Sequence, residues 1–258
     1  HAVLDINRSC NITCRGCYNQ RAETHKSVGE IDHELRQLLE LRHLHTITIL
    51  GGEPTLHPDL EQIIALSKNL VSKVALVSNG LLFDFTLGRR LKAAGLDIVF
   101  FHIDRGQVRP DLELYPTARQ INALRYQKAQ AGLKAGLSVG LQIIGYRRLL
   151  EDISEAVDFV LNTPGVSHLL VTNYTHVKKF KSITGAVDTG LSAELDAVRA
   201  NHKDELNNRQ IQKLLGNKAG KPFAYVAAQH DEYQKRWLSY QFCSISTSEE
   251  VLNYAMSS

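Results

Sequence analysis

Thr46–Leu60 reads TITILGGEPTLHPDL. The run TITIL is short, apolar and β-branched, as a buried strand requires. It passes straight into Gly51-Gly52-Glu53-Pro54, where two glycines let the backbone approach a ligand closely. Leu60, Ile63 and Ile64 then fall on one helical stripe, and Pro58 suits a first helical position. Strand, glycine turn and helix make one β-α unit.

Outward from that unit the pattern repeats. Strand-like runs occur at Ala2–Ile6, Val74–Ser78, Ile98–Ile103, Ser138–Ile144 and His168–Thr172. Between them lie the helical stripes Ile31/Leu35/Leu38/Leu39, Leu87/Leu91/Ala94 ending at Gly95, Ile121/Leu124/Lys128 closing near Gly132 or Gly136, and Ile153/Ala156/Val157/Val160 ended by Pro164-Gly165. Strands alternating with helices give a parallel sheet with right-handed crossovers. An open doubly wound sheet and a complete or partial barrel both satisfy the alternation. In either, chemistry belongs in the loops at the carboxyl ends of the strands.

The chain has 258 residues and is 43% hydrophobic, enough to bury one full core. No apolar run is long enough to span a bilayer. A net charge of +3 from 30 basic and 27 acidic residues, with no concentrated basic block, gives no expectation of nucleic-acid binding. The chain begins at His1 rather than methionine, so residues are expected upstream. From about Leu191 the composition changes to a polar helical stretch, a β-like FAYVAA (Phe223–Ala228) and an aromatic segment with Tyr233, Trp237 and Tyr240. Residues 191–258 are therefore expected to form an extension packed on a core of residues 1–190, not an independent domain.

Three of the four cysteines fall in CNITCRGCYN (Cys10–Asn19), as C-x3-C-x2-C in the loop after the first strand. Such crowding does not read as a disulfide framework, and a reducing cytoplasm is the natural home. Thiolates suit zinc or iron–sulfur clusters. Structural zinc wants four ligands, commonly as two separated pairs. No partner pair exists, neither His1 nor His25 has a convincing spacing, and Cys243 is remote. An iron–sulfur electron carrier normally completes its cluster with four cysteines. Three close ligands leave one cluster iron open to a substrate or cofactor, which is an arrangement for catalysis.

Cys10, Cys14 and Cys17 after a first strand, with Tyr18 beside the last, resemble the signature of the radical S-adenosylmethionine enzymes. The usual aromatic lies immediately before the third cysteine, where this chain has Gly16. Gly51, Gly52 and Glu53 resemble that family's GGE motif. Ser78-Asn79-Gly80 is similar to the Thr-Asn-Gly of many relatives, which shapes the pocket.

The resemblance implies a partial (β/α)6 TIM-like barrel in which the three cysteines hold a [4Fe–4S] cluster. The fourth iron would chelate S-adenosylmethionine, whose reductive cleavage gives a 5′-deoxyadenosyl radical. The GGE motif would contact the amino group of that cofactor. His102 or Asp104, at the end of the fourth strand, would bond the ribose, and Gln142 or Ile144 of the fifth would meet adenine. A flavodoxin or ferredoxin would supply the electron. Relatives with auxiliary clusters carry further C-terminal cysteines, so this chain reads as a single-cluster enzyme.

For the substrate, Arg105 and Arg109, Arg147 and Arg148, and Lys178, Lys179 and Lys181 bring positive charge to three successive carboxyl-end loops. An anionic small molecule fits that field, with a peptide as the alternative. A non-catalytic zinc module is the rival from another class. It leaves GGEP, the Asn-Gly pair and the inward His102 and Asp104 as separate accidents.

Overall fold

The computed structural model describes residues 1–15, 17, 19, 21–173, 208–219, 229–231, 236–238 and 243–246. The side chains of Arg148 and Asn173 and those of residues 229–231, 236–238 and 243–246 lie outside that description. So do Gly16, Tyr18, Tyr174, the three lysines, Phe223–Ala228, Tyr233 and Tyr240.

Six parallel strands form the sheet: β1 (Ala2–Asp5), β3 (Thr46–Leu50), β4 (Lys73–Ser78), β5 (Ile98–His102), β7 (Ser138–Gly145) and β8 (Val166–Asn173). Their spatial order equals their chain order. A doubly wound sheet reverses direction at a switch point, whereas here every crossover steps the same way. Right-handed crossovers of constant direction put the helices on one face and curl the sheet toward a barrel. That decides between the two architectures left open by alternation alone: the fold is a partial (β/α)6 barrel.

The helices are α1 (Val28–Leu41), α2 (Leu60–Leu70), α3 (Phe85–Ala93), α4 (Ala118–Lys134) and α5 (Leu150–Asn162). Their apolar stripes meet the outer face of the sheet. Ile31, Leu35, Ile63, Ile64, Leu91, Ile121 and Ile153 join Ile47, Ile49, Val74, Leu76, Val99, Phe101, Leu141 and Ile143 in one continuous core. Residues one step out of phase lie on the concave face. Ile98, Phe100 and His102 on β5 are partly exposed there, as are Gln142 and Ile144 on β7, with His102 opposite Gln142 in the register.

Local signals set the helix ends. Ser27 and Glu30 form a reciprocal capping box at α1, and Thr117 with Gln120 does the same at α4. Gly95 follows α3 at φ 108°, a left-handed turn that side chains resist. One expectation shifts. The helix anticipated from Pro58 begins at Leu60, because Pro58 and Asp59 form a turn after the short 3-10 segment Pro54–Leu56 and Asp59 takes the N-cap position.

Of the tail, α6 (Asn208–Ala219) packs on α5 and buries Ile211 and Leu215 in the core. The short strand β11 (Cys243–Ser246) pairs antiparallel with β8, placing Cys243 opposite Val171 at the sheet edge. The segments β9 (Gln229–Asp231) and β10 (Arg236–Leu238) pair with each other. Among the described residues no helix is long and apolar enough to cross a membrane.

In the first turn of α1, Gly29 is exposed and a Cβ there would meet nothing within 4 Å. Gly29→Ala is expected to stabilise the fold by about 0.5–1 kcal/mol, by restricting the unfolded chain. A raised thermal midpoint is the readout.

Candidate active site

The carboxyl ends of the first five strands meet at one rim, and the cysteine loop is fastened to each. Gly52 N–H donates to the Asn7 carbonyl at 2.9 Å, and Glu53 N–H to the Ser9 carbonyl at 2.8 Å. Asn11 Oδ1 accepts from Asn79 Nδ2 at 2.7 Å. The loop also forms a two-residue strand, β2 (Thr13–Cys14), antiparallel to β6 (Gln107–Val108), with Cys14 opposite Gln107. Arg15 N–H donates to the Gly106 carbonyl at 2.6 Å. The Tyr146 hydroxyl, just past β7, donates to the Arg15 carbonyl at 2.7 Å.

Glu53 is buried, and its carboxylate accepts four hydrogen bonds within the chain. Oε1 accepts from Ser78 Oγ at 2.8 Å, Thr55 Oγ1 at 2.6 Å and Thr55 N–H at 3.1 Å; Oε2 accepts from Asn79 N–H at 2.7 Å. It therefore ties the second strand's turn to Ser78-Asn79, which binds the two sequence motifs into one unit. Asn79 continues the network, its carbonyl accepting from Arg109 Nη2 at 3.0 Å.

Asp104 does the same on the other side. Its carboxylate accepts from Gly106 N–H at 2.8 Å, Ile144 N–H at 3.0 Å and His102 Nε2 at 3.0 Å. Burial alone would raise this carboxyl, but the His102 imidazole and the two amides outweigh it and hold it below the usual range. His102 is the more accessible partner, on the concave face. Asp104→Asn is expected to cost about 3 kcal/mol at pH 7, because an amide with its Oδ1 toward Ile144 and His102 sets its NH2 against the Gly106 N–H, and the buried charge opposite His102 is lost. With a depressed folded-state value, the Asp104 contribution is present above about pH 4 and fades as pH falls through the folded value. Urea unfolding of both proteins at pH 7 and in acid should show the gap shrinking.

Between these two carboxylates sit the thiols. Burial pushes Cys14 well above its ordinary value, and Cys17, Asp104 and Cys10 push it further. Burial also raises Cys10, against the Ile12 amide, which lowers it, while Glu53 adds to the rise. Cys17 is exposed.

The donor set suits a cluster carried by soft ligands. Among the described residues no three His, Cys, Asp or Glu side chains converge on a point that could hold a single ion. Three thiolates on one loop, each serving a separate iron, need no such point. Two buried acceptors at the rim, Asn7 Oδ1 and Gln142 Oε1, lack a partner within the chain, as a cofactor cradle would leave them. Gly51 and Gly52 leave no room for side chains: an added Cβ would lie 2.3 Å from Asn7 Oδ1 and 2.1 Å from the Ser9 carbonyl oxygen respectively.

The sequence model of the Radical SAM superfamily matches residues 4–160, which contain all these parts. The chain belongs to the radical SAM superfamily. A tungsten-containing aldehyde ferredoxin oxidoreductase cofactor-modifying protein of Pyrococcus furiosus is 25% identical over 190 residues, covering 67% of this chain and 51% of that protein. A probable GTP 3′,8-cyclase of Methanococcus maripaludis is 33% identical over 144 residues, covering 54% of this chain and 45% of the relative. The chain thus spans about half the length of these relatives. Among solved structures, Streptococcus suis SuiB bound to S-adenosylmethionine aligns at TM-score 0.54 and 20% identity, over 77% of this chain and 46% of that one. The radical SAM superfamily uses a [4Fe–4S] cluster with S-adenosylmethionine, and Cys10, Cys14 and Cys17 are the residues here that could hold it.

Within this radical SAM barrel, the other expected residues gather as follows. Gly51, Gly52, Glu53, Ser78 and Asn79 surround one side of the cysteine loop, and His102, Asp104, Gln142 and Ile144 the other. Glu53 is braced by its own chain, and Ile144 offers its amide to Asp104. Two arginines expected at a charged rim are not presented to it. Arg105 pairs with Asp152 and Glu155 of α5, and Arg109 is buried against Asp111 and Gln107. Their charge is neutralised inside the chain. Asn7, Asn11 and Tyr146 were not anticipated from sequence; Tyr146 directly after the GLQIIG strand was the one signal.

Proposed function

We propose that the chain is the catalytic barrel of an enzyme acting on a small molecule through S-adenosylmethionine. When bound, the cluster supplies the electron that cleaves the sulfonium and releases a 5′-deoxyadenosyl radical able to abstract hydrogen from, or add to, the substrate. Cys10, Cys14 and Cys17 hold three irons. The Gly51-Gly52 backbone, kept in place by Glu53, lines the amino end of S-adenosylmethionine, and Ser78 and Asn79 shape the wall beside it. His102, oriented by Asp104, faces the ribose, and Gln142 and Ile144 face the adenine.

The observation that carries this reading is the seating of the cysteine loop: Glu53 N–H bonds Ser9 on one side, and on the other Arg15 bonds Gly106 while β2 pairs with β6, just past Asp104. Reaction type is a matter for the loops: rearrangement, oxidation, methyl transfer and carbon–carbon bond formation all use the same cofactor site. An anionic substrate stays in the proposal, its charge complement assigned to Arg147 and Arg148 and the lysines at 178, 179 and 181. Internal pairing of Arg105 and Arg109 leaves less charge at the rim, and a peptide substrate is the second reading. A flavodoxin or ferredoxin serves as donor in a reducing cytoplasm, and α6 and β11 hold the described part of the tail to the barrel.

Anaerobic iron–sulfur reconstitution followed by dithionite and S-adenosylmethionine tests the reading. Chromatography should show 5′-deoxyadenosine. A colourless protein that binds one zinc and cleaves nothing would overturn it.

A further inference from the structure

Between β5 and α4 the chain runs through a short strap, Asp104–Val108, and most of the strap faces the cysteine loop or the cofactor wall. Asp104 bonds the Ile144 amide and His102. Gly106 accepts from Arg15 N–H and lies so close to Tyr146 that an added Cβ would stand 2.7 Å from the phenol oxygen. Gln107 sits opposite Cys14, and its Nε2 donates to the His102 carbonyl at 2.8 Å.

Arg105 reaches the opposite way. One guanidinium nitrogen bonds Asp152 Oδ1, and another lies 3.1 Å from both Glu155 oxygens, so the strap is pinned to the first turns of α5. Asp152 is only 2% exposed. Beneath it, the buried Arg125 donates to the Ile103 carbonyl at 3.1 and 2.9 Å, fixing the residue before the strap. A buried ion pair contributes little net stability, since desolvation offsets the attraction, but it restricts geometry because a misplaced partner leaves a bare charge. α5 belongs to a different β-α unit from the strap.

We propose that Arg105 is a positioning residue for the cluster loop: clamped on Asp152 and Glu155, it sets the height of the strap, and through the β6–β2 pairing the strap sets Cys14. The inference rests on Cys14 being a cluster ligand, as proposed above, but its geometry stands without the cluster. The Arg105 guanidinium is committed to α5. It acts through Gly106, Gln107 and Arg15.

The test uses the full chain, reduced and metal-free. Iodoacetamide alkylation is followed by peptide mass spectrometry at Cys10, Cys14 and Cys17 separately. In Arg105→Met, Cys14 labelling should accelerate about tenfold, as expected for local opening, while exposed Cys17 changes less than about twofold. Arg105→Lys, which keeps a charge for Asp152, should recover most of the protection. Should Arg105→Met fail to fold by circular dichroism, Asp152→Asn takes its place, with the same selective acceleration expected. Unchanged Cys14 labelling in a folded variant, or equal acceleration at all three cysteines, would overturn the proposal. Because no cluster is needed, that outcome is separate from a failure to form 5′-deoxyadenosine.

Discussion

Cys14→Ala is expected to abolish cluster assembly while leaving the barrel folded. Cys14 lies at the end of β2, a two-residue pairing outside the main sheet, and it is not among the residues of the continuous core. Its removal should therefore cost little stability, in contrast to a core truncation of about 2–5 kcal/mol. The chemical effect is large because the site has no spare thiol: Cys243 lies on β11 at the far edge of the sheet from β1. After anaerobic reconstitution, iron should fall from about four per chain to below about one, and the brown absorbance should vanish. Circular dichroism and the thermal midpoint should match the parent protein. A variant that keeps its chromophore would count against the ligand assignment.

Gly52→Ala is the second large effect, and it works through the backbone. A Cβ at Gly52 would stand 2.1 Å from the Ser9 carbonyl oxygen and 2.7 Å from its carbon. Neither atom is the end of a flexible side chain, so the Ser9–Cys10 segment must move. That movement breaks the Glu53 N–H bond to Ser9 and pulls Cys10 from its seat. The expected cost is about 3 kcal/mol or more, the scale of an enforced backbone shift with a lost buried hydrogen bond. Cluster loading should fall at least about tenfold, which corresponds to 1.4 kcal/mol at the site. Gly29→Ala, in open space on α1, is the matched control and should load normally. Normal iron content and stability in Gly52→Ala would show that this approach does not support the cysteine loop.

Much of the fold was legible because it depends on short-range periodicity. TITIL, IVFFH and the stripes between them report strand and helix directly, and GGEP marks a close approach whose cause is now visible in Asn7 and Ser9. Barrel or doubly wound sheet was not legible, since alternation is common to both and only spatial order separates them. Nor was the fate of the charges. Arg105 looks like a rim cation in sequence, but its partner Asp152 is 47 residues away on another helix, brought close by the sheet order. The bonds from Ser78 and Asn79 to the Glu53 carboxylate, made across to the next strand and its turn, were equally invisible in sequence. Pairings made by tertiary structure leave no local trace, whereas the cysteine spacing does.

Electron paramagnetic resonance of the reconstituted, reduced protein, recorded with and without S-adenosylmethionine, tests most directly the central claim: three cysteines hold a cluster whose remaining iron is open. A low-temperature [4Fe–4S] signal is expected whose g-values shift when S-adenosylmethionine is added, with no such signal in Cys14→Ala. A spectrum unchanged by S-adenosylmethionine, or a protein that takes up zinc and gives no signal, would contradict it.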